Sequence, residues 1–256
     1  MSNRRSMHTE SHDAGCFGYC RRCEVIHSLG VGSARQRAFS LMAELEQHGE
    51  SSYAVAPPPS AHGTDPDTRE ARGQMFGILE CRDRSGETVI LRAFSALFDG
   101  QREATGWAPP LLTAEQHQTI VLPIEAEIKT HTWRLQQLPP DSVEYEAERR
   151  QRAELSRGLL DTLHRLCQVH NFRGERARLS DAWIGAGGMP GGVGGCCAPK
   201  LLNYAATQQL NPIGLVEFYW GVPNRIGTRE HRAFYPCCAE KCQQILGFML
   251  CGINEN

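Results

Sequence analysis

From Ala34 to His48 the apolar residues Ala38, Leu41, Met42 and Leu45 recur at helical spacing and Gly49 supplies a stop, so one amphipathic helix is expected there. Gln74 to Cys81 and Glu87 to Phe94 are apolar runs joined by Arg82-Asp83-Arg84-Ser85-Gly86, whose Asp, Ser and Gly suit a turn, and they predict a β-hairpin. Thr113 to Leu138 and Asp141 to His170 are helical in composition and are separated by Pro139-Pro140; Leu155, Leu159, Leu163 and Leu166 fall three or four residues apart in the second. An antiparallel helical hairpin is predicted, with Pro123 kinking or ending part of its first arm. Further on, Pro199 suits the first position of a helix running to Gln209, and Ile213 to Trp220 reads as a buried strand. Glu240 to Leu250 predicts a last helix with Ile245, Leu246 and Met249 inward. Between these elements, residues 1–15 read as a polar tail, 16–32 as a Gly-containing loop and 50–72 as a linker. The pattern predicts an α+β chain with a small mixed sheet packed by helices. Its expected divisions are 1–32, a tail with a candidate zinc knuckle; 33–72, helix and linker; and 73–251, a domain with the helical hairpin inserted at about 113–170.

Composition changes this picture mainly through cysteine. The 256 residues include 11 cysteines, too sparse for a disulfide scaffold and too clustered for core filling alone. Cys16, Cys20 and Cys23 form one group; Cys196, Cys197, Cys237, Cys238 and Cys242 form two more, while Cys81, Cys167 and Cys251 stand apart and read as packing. No apolar run approaches the roughly 18 residues a membrane helix needs. The start MSNRRSMHTESHDAG carries no apolar stretch behind its basic residues and does not read as a signal peptide. A reducing cytoplasm is the expectation, and clustered thiols there favour metal or catalysis. A net charge of −2 argues against a generally basic nucleic-acid coat but allows a local basic groove.

Two thiols at one helix start and two at another can converge on a tetrahedral zinc, because the N-terminal dipole favours thiolate and four residues span about one turn. Cys196 or Cys197 with Cys238 and Cys242 supplies three ligands; a fourth protein ligand makes the site structural, and a water in that position makes it hydrolytic. Buried, non-ligating thiols are the plain alternative. Cys16, Cys20, Cys23 and His27 make a second candidate Cys3His set, and a site shared with C-terminal thiols is its alternative. Gly185 to Gly195 lacks both the Walker and the dinucleotide patterns and reads better as a hinge or lid over the cysteines. Arg225, Arg229, His231 and Arg232, beside Tyr219 and Trp220, can bind RNA by charge and stacking, or else form a solvated loop with aromatic anchors in the core.

The run Cys196-Cys197-Ala198-Pro199-Lys200-Leu201-Leu202-Asn203-Tyr204-Ala205, with Val216 to Gly221, Phe234 to Cys242 and Ile245-Leu246-Gly247, resembles the N-terminal extension of some bacterial RluA-type pseudouridine synthases. Met75 to Leu79 and Arg92 to Ser95 resemble its opening hairpin, so the likeness covers about 73–251 without the synthase domain. More distantly, the order helix, β-hairpin, helix opening with a thiol, strand, helix opening with a thiol pair is similar to zinc-dependent cytidine deaminase-like proteins. Those proteins use His/Cys-x-Glu and Pro-Cys-x2-Cys. Here Ala198 or Pro199 stands near the glutamate's place and the thiol pair is one residue wider, which makes Glu217 or Glu240 the candidate acid/base.

These resemblances imply a cytoplasmic zinc protein of nucleic-acid or nucleobase metabolism, with Cys196, Cys238 and Cys242 as ligands, Lys200 as a phosphate or oxyanion partner, and hydrolytic deamination by zinc-activated water. Its partner would be RNA or a nucleobase-containing substrate, with no membrane. A non-catalytic zinc-stabilised RNA-binding or adaptor module is the rival, and a redox sensor built on Cys196, Cys197, Cys237 and Cys238 is a third reading.

Overall fold

The computed structural model describes residues 14–47, 73–95, 101–224 and 226–253. It opens with a hairpin, β1 (Ala14–Cys20) and β2 (Val25–Gly30), followed by α1 (Ala34–Gln47). The expected loop over 16–32 is therefore two paired strands. Cys16, Gly18 and Cys20 alternate with Phe17 and Tyr19, and the small inner residues carry too little hydrophobicity to reveal the alternation. β3 (Gln74–Arg82) and β4 (Thr88–Phe94) form the expected hairpin, closed by Asp83, whose carboxylate accepts from the backbone N–H of Ser85 and Glu87 at 2.9 Å.

The helical hairpin comprises α2 (Ala114–Gln116), a π-helical segment over His117–Val121, α3 (Leu122–Gln137) and α4 (Val143–Leu166). Thr113 and Gln116 close a capping box, and Ser142 caps α4. The disturbance expected at Pro123 takes the form of the π segment immediately before it, where the turn widens ahead of a residue with no N–H to give. The chain continues through a small hairpin, β5 (Gln168–His170) and β6 (Arg176–Arg178), then α5 (Leu179–Ala182), α6 (Cys197–Thr207), β7 (Asn211–Trp220), β8 (Phe234–Tyr235) and α7 (Gln243–Met249).

The main sheet has the order β4-β3-β7-β8. The α+β class is as expected, but each pairing in the sheet is antiparallel, so the sheet itself is not mixed. Period-2 alternation divides its faces. Phe76 and Ile78 of β3 and Val216, Phe218 and Trp220 of β7 pack with Ala38, Leu41, Met42 and Leu45 of α1. Leu79 and Cys81 of β3 and Leu215 of β7 join α6, α7 and the helical hairpin in the other core. Glu217, odd-numbered like Leu215, falls on this second face. Among the described residues no helix is long and apolar enough to cross a membrane.

Candidate metal centres

The turn before α7 and the start of α6 meet on the second face of the sheet. Gly77 faces Glu217 across β3 and β7, and a Cβ at Gly77 would stand 2.6 Å from Cys197 Cβ, so only glycine lets α6 approach this closely. Cys196 is the N-cap residue of α6 and Cys242 that of α7, with Cys238 one turn earlier. The sulfurs of Cys196, Cys238 and Cys242 all lie within 4.8 Å of one another. Cys238 and Cys242 are 3.3 Å apart, and the Cys242 N–H donates to Cys238 Sγ at 3.3 Å. Thiolates on one tetrahedral metal stand about 3.8 Å apart, so the three positions fit a single ion. Hydrogen bonding from Cys196 and then Cys242 pulls the Cys238 thiol down, while Cys196 rises chiefly through Cys238. Mutual hydrogen bonding among the three sulfurs thus favours a thiolate at Cys238, a charge that a cation would balance. Cys242 is buried, while Cys196 and Cys238 are half-buried.

Glu217 is 4% exposed beneath the same helix start, where its Oε1 accepts from the Ala198 N–H at 2.9 Å. Burial pushes its carboxyl up to about 7, against the lowering by the Ala198 N–H and Cys237. Glu240 lies exposed in the turn between Cys238 and Cys242. Lys200, expected as an anion partner, is 3% exposed and its Nζ donates to Phe94 O at 2.8 Å; the side chain ties α6 to β4 instead of reaching toward a ligand. Cys197 and Cys237 are neighbours of the cluster that bond inward, to Met75 O at 3.3 Å and Gly15 O at 3.4 Å. The glycine run passes alongside: a Cβ at Gly192 would stand 3.3 Å from Lys241 Nζ, in the Cys238 to Cys242 turn.

A second cluster joins the two ends of the described chain. Donor atoms of Cys20, Cys23, His27 and Cys251 lie within 4.8 Å of one another. Cys20 ends β1, Cys23 stands in the hairpin loop, and His27 lies on β2 opposite Gly18, diagonal to Cys20. Cys251 follows α7. Its sequence position reads as packing, whereas the structure places it where Cys16 was expected. Strand geometry explains the exchange. Cys16 and Cys20 share a face of β1 but stand four residues apart, about 13 Å along a strand, too far for one ion. Cys16 is instead fully buried and hydrogen-bonded with Cys237. Cys251 had no local spacing to mark it, since it is 228 residues from Cys23 in sequence.

The residues expected to bind RNA divide differently. Tyr219 and Trp220 are 5% and 4% exposed, with Trp220 packed in the α1 core, so neither ring is free to stack on a base. Arg232 pairs with Glu46 and lies over the Trp220 ring, Arg229 lies 4.1 Å from the Tyr235 ring centre, and His231 Nδ1 accepts from the Gly221 N–H. Arg225 lies outside the described residues. Comparison with known proteins finds no matching family model, no matching curated protein and no matching solved structure.

Proposed function

We propose that this chain is a zinc-dependent hydrolase of the deaminase type, acting on a nucleobase-containing substrate at the Cys196, Cys238 and Cys242 centre. The observation that carries the reading is the meeting of three thiols, two of them half-buried, with a buried carboxyl at the same helix start. A thiolate set suits zinc, and three protein ligands leave one tetrahedral position for substrate or water. Zinc held there would lower the pKa of a bound water toward about 7 and so supply a nucleophile at neutral pH. Glu217, with its carboxyl near 7, holds or releases a proton close to working pH. Its place on β7 stands in for the glutamate that deaminases carry near the first thiol. The element order α1, β3–β4 hairpin, α6 opening at Cys196, β7, α7 opening at Cys242 supports the same reading. Ammonia release from cytosine and adenine nucleosides and from short RNA oligomers tests it. The zinc-loaded protein should turn over one of these classes, and C238S and E217Q should each abolish turnover while E217Q retains the metal. A zinc-loaded protein inert on all of them rejects the reading.

A second reading has its own support. The Glu217 oxygen and the Lys200 ammonium are both engaged inside the protein, which suits a non-catalytic, zinc-stabilised RNA-binding or adaptor module in the cytoplasm. RNA would then meet the exposed His231 and Arg232 with the half-buried Arg229, rather than Tyr219 and Trp220. Salt-dependent RNA binding without turnover selects this reading.

A further inference from the structure

We propose that Cys20, Cys23, His27 and Cys251 form a closed zinc site, separate from the three-thiol centre, that clamps the β1–β2 hairpin to the end of α7. Four donors within 4.8 Å complete a tetrahedral set with no position left for substrate. His27 supplies the second observation: its Nε2 is buried and has no hydrogen-bond partner among the described residues, an arrangement a metal ion satisfies. Cys20 and Cys251 are 2% and 1% exposed, and Cys23 Sγ lies 3.5 Å from Cys251 Sγ. Binding releases the three thiol protons to solvent and leaves three thiolates on a divalent ion, one net negative charge. Arg173 supplies the balancing charge, with its Nε donating to Cys251 Sγ at 3.3 Å.

The backbone is built for this junction. A Cβ at Gly18 would stand 2.3 Å from Gly247 N, and one at Gly247 would stand 1.9 Å from Tyr19 O, so the two glycines let β1 and α7 touch main chain to main chain. That contact brings Cys251, four residues beyond Gly247, to the end of β1. The same two elements run between both clusters. α7 has Cys242 at its start and Cys251 just past its end, while β1 has Cys20 at one end and, at the other, Cys16 and Gly15 against Cys237. The clamp closes a loop of more than two hundred residues, the kind of closure from which a metal clip gains most.

Metal counting on the full chain tests the proposal. Zinc-loaded wild type freed of excess metal should hold two equivalents, C23S and C251S one each, and C16A both. C238S should lose the other equivalent, and its remaining site, loaded with cobalt, should show the intense visible absorption of a tetrahedral thiolate complex. Where C251S does not fold, C23S and the cobalt spectrum of C238S carry the same reading. Two equivalents retained in C23S and C251S overturn the proposal. So does a cobalt spectrum of C238S without tetrahedral intensity, or a Cys23–Cys251 disulfide in protein kept under reducing conditions.

Discussion

The two cysteine clusters lie at opposite ends of α7 and differ in what surrounds them. At Cys196, Cys238 and Cys242 three thiols meet a buried carboxyl, and two of the thiols are half-buried. At Cys20, Cys23, His27 and Cys251 four donors meet, one of them an imidazole with an orphaned nitrogen, and a guanidinium backs the last thiol. Donor count and neighbouring charge, more than cysteine number, distinguish the two clusters, and on them rest the two proposals, an open centre at one and a closed clamp at the other. The three-donor cluster gathers residues 196–242, whereas the four-donor cluster ties the start of the described chain to its end.

Removing metal from both is expected to have the largest effect. Structural zinc contributes on the order of 10 kcal/mol in small folded units, so a thiol-competent chelator should abolish cooperative thermal unfolding. An unfolding transition unchanged by complete metal removal would erase the distinction between the clusters. Gly247→Ala breaks one side of it selectively. Its methyl would meet the Tyr19 carbonyl at 1.9 Å, backbone against backbone, so the strain should reach or exceed the roughly 3 kcal/mol typical of severe overpacking. The hairpin should part from α7, and the variant should keep one zinc, held by Cys196, Cys238 and Cys242, and lose the other. Loss of both equivalents would mean that the two sites assemble as one.

Sequence alone goes further with one region than with the other. α1 and the β3–β4 hairpin are legible because long apolar residues mark their inner faces, and Cys196, Cys238 and Cys242 because helix starts gather thiols within a turn. Glu217 is legible only as one of two candidates. The period-2 alternation of β7 is what turns it toward α6, and the register that sets it opposite Gly77 is a tertiary fact. The β1–β2 hairpin escapes notice because cysteine and glycine form its inner face. Cys251 escapes because ligand spacing is read locally, and no local rule joins residues 228 apart.

Glu217→Gln sharpens the three-thiol side through pH. The carboxyl rises from 4.5 to about 7 on folding, so the folded state holds its proton more tightly. That stability is fully present below pH 4.5 and is lost as pH climbs to about 7, a total of about 3 kcal/mol. Unfolding by denaturant across this window should show the decline in the difference between the wild type and E217Q at equal zinc content, since any zinc released on acidification is common to both. Equal slopes in the two proteins would show that Glu217 is ionised in the fold and holds no proton to give.

The smallest expected effect falls on the four-donor side. Arg173→Ala leaves all four donors in place and removes the guanidinium that donates to Cys251 Sγ at 3.3 Å. Partners behind metal ligands are commonly worth tenfold or more in affinity, and here the lost group also offsets one net negative charge. Competition with a chromophoric chelator should therefore show zinc at this site weakened by about tenfold, about 1.4 kcal/mol, with the Cys196, Cys238 and Cys242 site unaffected. Arg173→Lys keeps the charge but not the directed Nε–H, so it should recover part of the loss. Full recovery by lysine would assign the effect to charge alone, and no loss in alanine would leave the thiolates balanced by the metal itself. Either result would change what distinguishes the clamp from the open centre, since a guanidinium backs the thiols of the one where a buried carboxyl stands beside those of the other.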